Sequence, residues 1–201
     1  MKWIILLLVF TSNVYATNLS SVISDQVDVI IADKSDGNIY LWKNESRTLF
    51  KAPALYGKTY SDFFSQAEYD NGKVSGFITP SGTFAATKMY STYMSNYILA
   101  FVYGKKYVLA IHPVVIGKTD QRRLERLNSP EGSDNRITNG CINVPAEFFY
   151  SVLYTLPDKT KLVVLPEKDT LVDDVSSQTP SIKIETVSSD LSGFAGYVGK
   201  N

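Results

Sequence analysis

The chain of 201 residues holds one cysteine, Cys141, and one histidine, His112. A thiol and an imidazole together make an activated nucleophile, in which the imidazole takes the thiol proton and the thiolate attacks an acyl carbon. Cys141 follows Gly140 and precedes a helix expected from Pro145. A helix N-terminus presents free N–H groups and partial positive charge, which lower a thiol's pKa. Gly140 permits a tight backbone, so the N–H groups of Gly140 and Cys141 can face a substrate carbonyl as an oxyanion hole. His112 ends an expected strand over Tyr107 to Ile111, where a side chain can point into a site. The plainer alternative is a small apolar Cys in a turn and a His satisfied in the core. The same counts exclude other chemistry. One Cys allows no internal disulfide and no multi-Cys zinc site, and one His allows no two-His metal site. No metal and no cofactor is expected.

The elements that must position this pair read mostly as strands. Val27 to Asp33 is a β-branched apolar run, Ser35 to Asn38 has turn chemistry, and Ile39 to Trp42 is a second strand, so 27 to 43 reads as a hairpin. Thr48 to Leu55, Thr83 to Met89, Tyr97 to Tyr103, Tyr107 to Ile111 and Thr160 to Leu165 are further strands. Phe63, Phe64 and Ala67 are spaced for one face of a short helix. Pro145 to Leu156 carries Phe148, Phe149, Val152 and Leu153 at helical spacing, with Pro tolerated in the first turn. Residues 113 to 136 are charged and read as an exposed loop with one helical turn around Arg122 to Leu127. The expected fold is mainly β, a β-sandwich or curled mixed sheet with one or two short helices near Cys141.

Lys and Arg number 20 against 20 Asp and Glu, a balance that argues against a nucleic-acid partner. Lys2, the apolar run Trp3 to Phe10 and the small residues ending at Ala16 read as a signal peptide over 1–16. Eight apolar residues are too few to span about 30 Å of hydrocarbon, so no membrane insertion is expected after cleavage. Residues 17–26 read as an N-terminal lead, 27–166 as a catalytic domain, and 167–201 as a polar tail with a weak strand at Ile182 to Ile184.

Ile111-His112 followed by Thr138-Asn139-Gly140-Cys141-Ile142-Asn143 resembles the signature of the L,D-transpeptidases, the YkuD-like family. Thr79-Pro80-Ser81-Gly82-Thr83-Phe84 is similar to that family's Thr-Pro-x-Gly-x-Phe segment, and the resemblance covers roughly 27 to 166. It implies a periplasmic or cell-envelope enzyme of cell wall biogenesis and cell shape, acting on peptidoglycan stem tetrapeptides. By the same resemblance Cys141 is the nucleophile, His112 the general base, and the Gly140 and Cys141 amides the oxyanion donors. Thr138, Asn139 and Asn143 fall at positions that order substrate or loop. Two departures stand out. Asn139 replaces a family His and cannot titrate near neutral pH. The stretch 113–136 is an apparent insertion between base and nucleophile.

Within that insertion Arg136, five residues before Cys141, is the expected holder of a stem-peptide carboxylate, because guanidinium pairs with carboxylate through two parallel bonds. Three other functions stay open. The same site can work hydrolytically as a peptidoglycan carboxypeptidase or amidase, the chain can be a non-catalytic wall-binding module, or it can be a cysteine peptidase acting on proteins.

Overall fold

The β-branched run Val29–Asp33 (β1) turns back at Gly37, where φ is +70°, and pairs antiparallel with Asn38–Lys43 (β2). The computed structural model describes residues 27–43, 47–67, 76–104, 107–117 and 119–170. The expected signal peptide, the N-terminal lead and the strand at 182–184 therefore lie outside the described residues. Arg47–Pro53 (β3) continues the meander, and a two-residue β4, Tyr56–Gly57, follows it. The long hairpin Gly82–Ser91 (β5) and Asn96–Tyr103 (β6) leads into Tyr107–Pro113 (β7). Arg136–Thr138 (β8), Ile142–Val144 (β9) and Thr160–Val164 (β10) complete the strands.

These strands form one mixed eight-stranded sheet in the order β3-β2-β1-β10-β5-β6-β7-β9, beside a small parallel pair β4-β8. β10 runs parallel to β1 and antiparallel to β5, joining the two halves of the sheet. At the far edge, Leu55 and Asn143 exchange backbone hydrogen bonds of 2.8 and 3.0 Å. That bridge returns the β9 edge to the chain just past β3, so the sheet curls nearly closed. The mainly β, curled mixed sheet read from the sequence is the architecture of the described residues.

Alternating inward residues fill the curl. Ile30, Ile39, Leu41, Phe101, Ile111, Ile142 and Leu162 are all fully buried. Burying such a side chain contributes about 1.5–3 kcal/mol, which is why the pattern fixes the strand faces. The helix expected over Pro145 to Leu156 is shorter: α2 is Ala146–Ser151, followed by a 3-10 turn Leu153–Thr155. Phe148, Phe149 and Leu153 seal that end of the core. Phe63 and Phe64 do not share a helical face. Phe64 is buried against the rings of Tyr103 and Tyr107, while Phe63 is 65% exposed.

The segment 113–136 carries its expected helical turn as α1 over Arg123–Leu127, between the 3-10 turns Thr119–Gln121 and Gly132–Asn135, but it is not the exposed loop expected around that turn. Leu127 packs with Leu55 and Val114. Asn135 Nδ2 donates to the carbonyls of Gly37 (2.8 Å) and Ala54 (3.0 Å). The charged residues on its outer side hid an inner side that is part of the fold. Glu167, assigned to the polar tail, is likewise half-buried and tied to Arg136 and Lys34. Among the described residues, no helix is long and apolar enough to cross a membrane.

Candidate active site

Cys141 sits at the end of a stapled turn between β8 and β9. Gly140 has φ +116°, and a Cβ there would lie 2.5 Å from the Ile78 carbonyl oxygen, so no other residue fits without moving backbone. The buried Thr79 hydroxyl donates to the Gly140 carbonyl at 2.8 Å and accepts the Gly57 N–H at 2.8 Å. On the other side, Thr138 Oγ1 accepts the Gly140 N–H at 3.1 Å and donates to the Cys141 carbonyl at 2.6 Å. The turn is held at every polar atom that these two hydroxyls reach. The Cys141 side chain, partly exposed, packs on the patch formed by Ile98, Ala100 and Ala110.

His112 projects from the same sheet face. β7 and β9 are parallel neighbours with His112 opposite Asn143, and alternation puts Ala110 and His112 on one side of β7. Cys141 precedes Asn143 by two residues and lies against Ala110. Strand geometry then sets the His112 and Cys141 Cα atoms about 8 Å apart along a diagonal, within reach of an imidazole and a thiol. No direct bond joins them. His112 Nδ1 lies 2.8 Å from the Pro113 carbonyl oxygen, and its Nε2 lies 2.9 Å from Asn143 Nδ2. Asn143 Oδ1 in turn accepts from Arg123 Nη1 at 2.7 Å, and Arg123 Nε donates to Gln121 at 2.7 Å. Burial holds the His112 pKa below its ordinary value, with the Arg123 charge acting in the same sense and the Pro113 hydrogen bond opposing. The imidazole is therefore neutral at neutral pH.

Two expectations about the thiol are corrected. The helix expected from Pro145 starts at Ala146, but the strand Ile142–Val144 separates it from Cys141, so it does not act on the thiol. Its terminal N–H groups are spent a full strand away. Burial pushes the Cys141 thiol up rather than down, and the Ala110 N–H and the Arg123 charge offset only part of that. The Gly140 N–H is also no free oxyanion donor, since Thr138 Oγ1 takes it.

The other expected site residues separate clearly. Asn139 is exposed in the turn beside Cys141. Thr138 is buried and serves the turn, as just described. Asn143 is buried and faces His112 and Arg123 rather than a substrate. Arg136 is not the carboxylate holder. Its side chain is 2% exposed, its Nη2 is paired with Glu167, and its guanidinium lies 4.4 Å over the Tyr60 ring. A substrate carboxylate has no access to a guanidinium so enclosed. The residue that the sequence reading passed over is Arg123. Its signal was faint: Arg123 and Leu127 are four apart and are the two buried residues of α1, which makes them one inward face.

No family model and no curated sequence matches the chain. Among solved structures, the chain is similar to an L,D-transpeptidase from Xylanimonas cellulosilytica, with 13% identity and a TM-score of 0.42 over 70% of this chain and 61% of that one. It is similar to an L,D-transpeptidase from Stackebrandtia nassauensis, with 9% identity and a TM-score of 0.42 over 72% and 58%. It is similar to an L,D-transpeptidase from Mycobacterium smegmatis, with 16% identity and a TM-score of 0.39 over 68% and 58%. The chain thus spans less than two thirds of the length of these structural neighbours, each an L,D-transpeptidase.

Proposed function

We propose that the chain is an exported cysteine acyltransferase of the cell envelope that carries out L,D-transpeptidation on peptidoglycan stem tetrapeptides. The observation that carries this reading is the shared sheet face of His112 on β7 and Cys141 just before β9, with His112 Nε2 2.9 Å from the Asn143 amide. The sequence motifs around Thr79 and Cys141 supply the substrate class.

In the acylation step His112 Nε2 releases the Asn143 amide and takes the Cys141 proton. Sγ bonds to the carbonyl carbon after the L-centre of the stem. The oxyanion role falls to the Cys141 N–H. The C–N bond to the terminal D-residue breaks, and the imidazolium returns its proton to the departing amine. The thioester is then attacked by an acceptor amine. Its proton passes to Nε2, the C–S bond breaks, and the thiol is restored.

The test is incubation of the purified protein with tetrapeptide muropeptides, with products identified by mass. Cross-linked dimers with loss of the terminal residue support the transferase, and free tripeptide stems identify a hydrolase. Intact substrate and no Cys141 adduct would leave a wall-binding module. His112→Ala should slow acylation by about 10²–10⁴-fold, the usual worth of a positioned base, and Asn139→Ala by far less.

A further inference from the structure

We infer that Arg123, from the segment inserted between base and nucleophile, is a positioning residue that locks His112 in the Nδ1–H tautomer through the amide of Asn143. The inference takes the role of His112 as base from the function proposed above. The lock itself is read without turnover.

Each end of the chain of contacts admits only one hydrogen-bonding role. A guanidinium only donates hydrogen bonds, and a backbone carbonyl only accepts them. Arg123 Nη1 meets Asn143 at 2.7 Å, so the Asn143 atom facing it must be the oxygen. The Asn143 NH₂ group must then face His112 Nε2 at 2.9 Å, which makes Nε2 an acceptor. At the other end, the Pro113 carbonyl lies 2.8 Å from Nδ1, which makes Nδ1 the donor. The two ends agree on one arrangement, so amide orientation and tautomer are both determined by chemistry. Without Arg123, Asn143 is free to turn its oxygen towards Nε2. That orientation favours a proton on Nε2 and removes the lone pair that accepts the thiol proton.

The placement of Arg123 fits this task. The residue is buried, its Nε is held by Gln121, and the preceding Arg122 adopts φ +48° at the start of α1. That left-handed conformation is strained for a residue with a side chain. The kink sends Arg122 outward to Glu125 and Arg123 inward to Asn143. The groups facing the imidazole are Asn143 from β9 and the Pro113 carbonyl from β7, with Arg123 of α1 behind Asn143.

Because the chain has a single histidine, an imidazole ¹⁵N–¹H spectrum reports His112 alone. The full-length protein should show a protonated Nδ1 and a bare Nε2 at neutral pH. Arg123→Met should shift the signals towards the Nε2–H form, and Arg123→Lys, again a pure donor, should restore the wild-type pattern. Asn143→Asp offers only acceptor atoms to Nε2. It should protonate Nε2 and carry the imidazole charged to higher pH, even if Arg123→Met does not fold. A wild-type spectrum with Nε2–H overturns the inference outright. So does a folded Arg123→Met protein whose tautomer is unchanged. Failure of the muropeptide assay with the tautomer responses intact would sink the proposed function and leave the lock standing.

Discussion

The Thr79 hydroxyl and the Gly140 carbonyl are bonded at 2.8 Å across a tight approach of two loops, with the Gly57 N–H feeding the same oxygen. One side-chain atom thus ties one side of the turn that presents Cys141 to the neighbouring chain. Thr79 is fully buried, so water cannot replace it.

Thr79→Val keeps the shape and deletes the hydroxyl, leaving a buried N–H and a buried carbonyl short of a partner. The cost should be about 2 kcal/mol or more, read from the urea midpoint. Thr79→Ser keeps the bridge and should lose much less. A loss in Thr79→Ser as large as that in Thr79→Val would show that the hydroxyl bridge is not the dominant contribution of this side chain.

Cys141 should react sluggishly. Its thiol is pushed up by burial, so less thiolate is present at neutral pH than for an ordinary cysteine. Alkylation by iodoacetamide, followed by intact mass, should still be climbing as pH passes 9. Arg123→Met removes the one positive charge that favours the thiolate and should slow alkylation by about tenfold at fixed pH. A rate that levels off near pH 7 would contradict the buried thiol. Cys141→Ala should take up no label and abolish turnover.

His112 should give stability a pH dependence of defined sign. Burial lowers its pKa in the folded protein, so the unfolded chain binds the proton more readily. Its contribution is intact above the unfolded value of about 6.5 and is lost as pH falls from there through the lower folded value. Thermal melts between pH 7.5 and 5 should fall more steeply for the wild type than for His112→Gln. Parallel slopes would show that another group governs this range.

Arg136 and Glu167 should prove structural and unequal. Lys34 Nζ lies 3.3 Å from the same Glu167 oxygen, so Arg136→Met leaves that carboxylate one partner. It also removes the buried Nε and Nη1, which have no hydrogen-bond partner. Glu167→Ala instead leaves the buried Arg136 guanidinium without a carboxylate, while Lys34 keeps Asp62 at 2.8 Å, and should cost about 3 kcal/mol, the larger loss of the two by urea denaturation. Alkylation of Cys141 should be unchanged in both. A selective loss of substrate binding in Arg136→Met would reinstate it as a carboxylate holder.

The strands that are runs of apolar and β-branched residues were legible from the sequence. Val29 to Asp33, Asn96 to Tyr103 and Thr160 to Val164 each carry their own pattern, and the hairpin at Gly37 carries its own turn. β9 was not legible. Ile142, Asn143 and Val144 form a strand only because β7 lies beside them, and a three-residue element has no period to read. Without that strand, the helix beyond Pro145 reads as near enough to act on the Cys141 thiol. Arg123 and Arg136 show the same limit for the site. Both are arginines in one charged segment, and their roles are set by Asn143 and Glu167, which only the folded chain brings near. The Cys–His pair was legible because it rests on residue type and needs no partner to be noticed.

The place of β10 has a consequence for assembly. It is the last strand among the described residues, yet it lies between β1 and β5, pairing Val29 with Lys161 on one side and Thr83 with Val163 on the other. Until Val164 has been synthesised, the main sheet exists as two fragments, each with an unpaired edge open to wrong partners. Joining them requires ends of the chain that are remote in sequence to meet, which makes closure slow compared with hairpin formation. A chain cut before Thr160 would therefore keep its hairpins and lose its single cooperative melting transition.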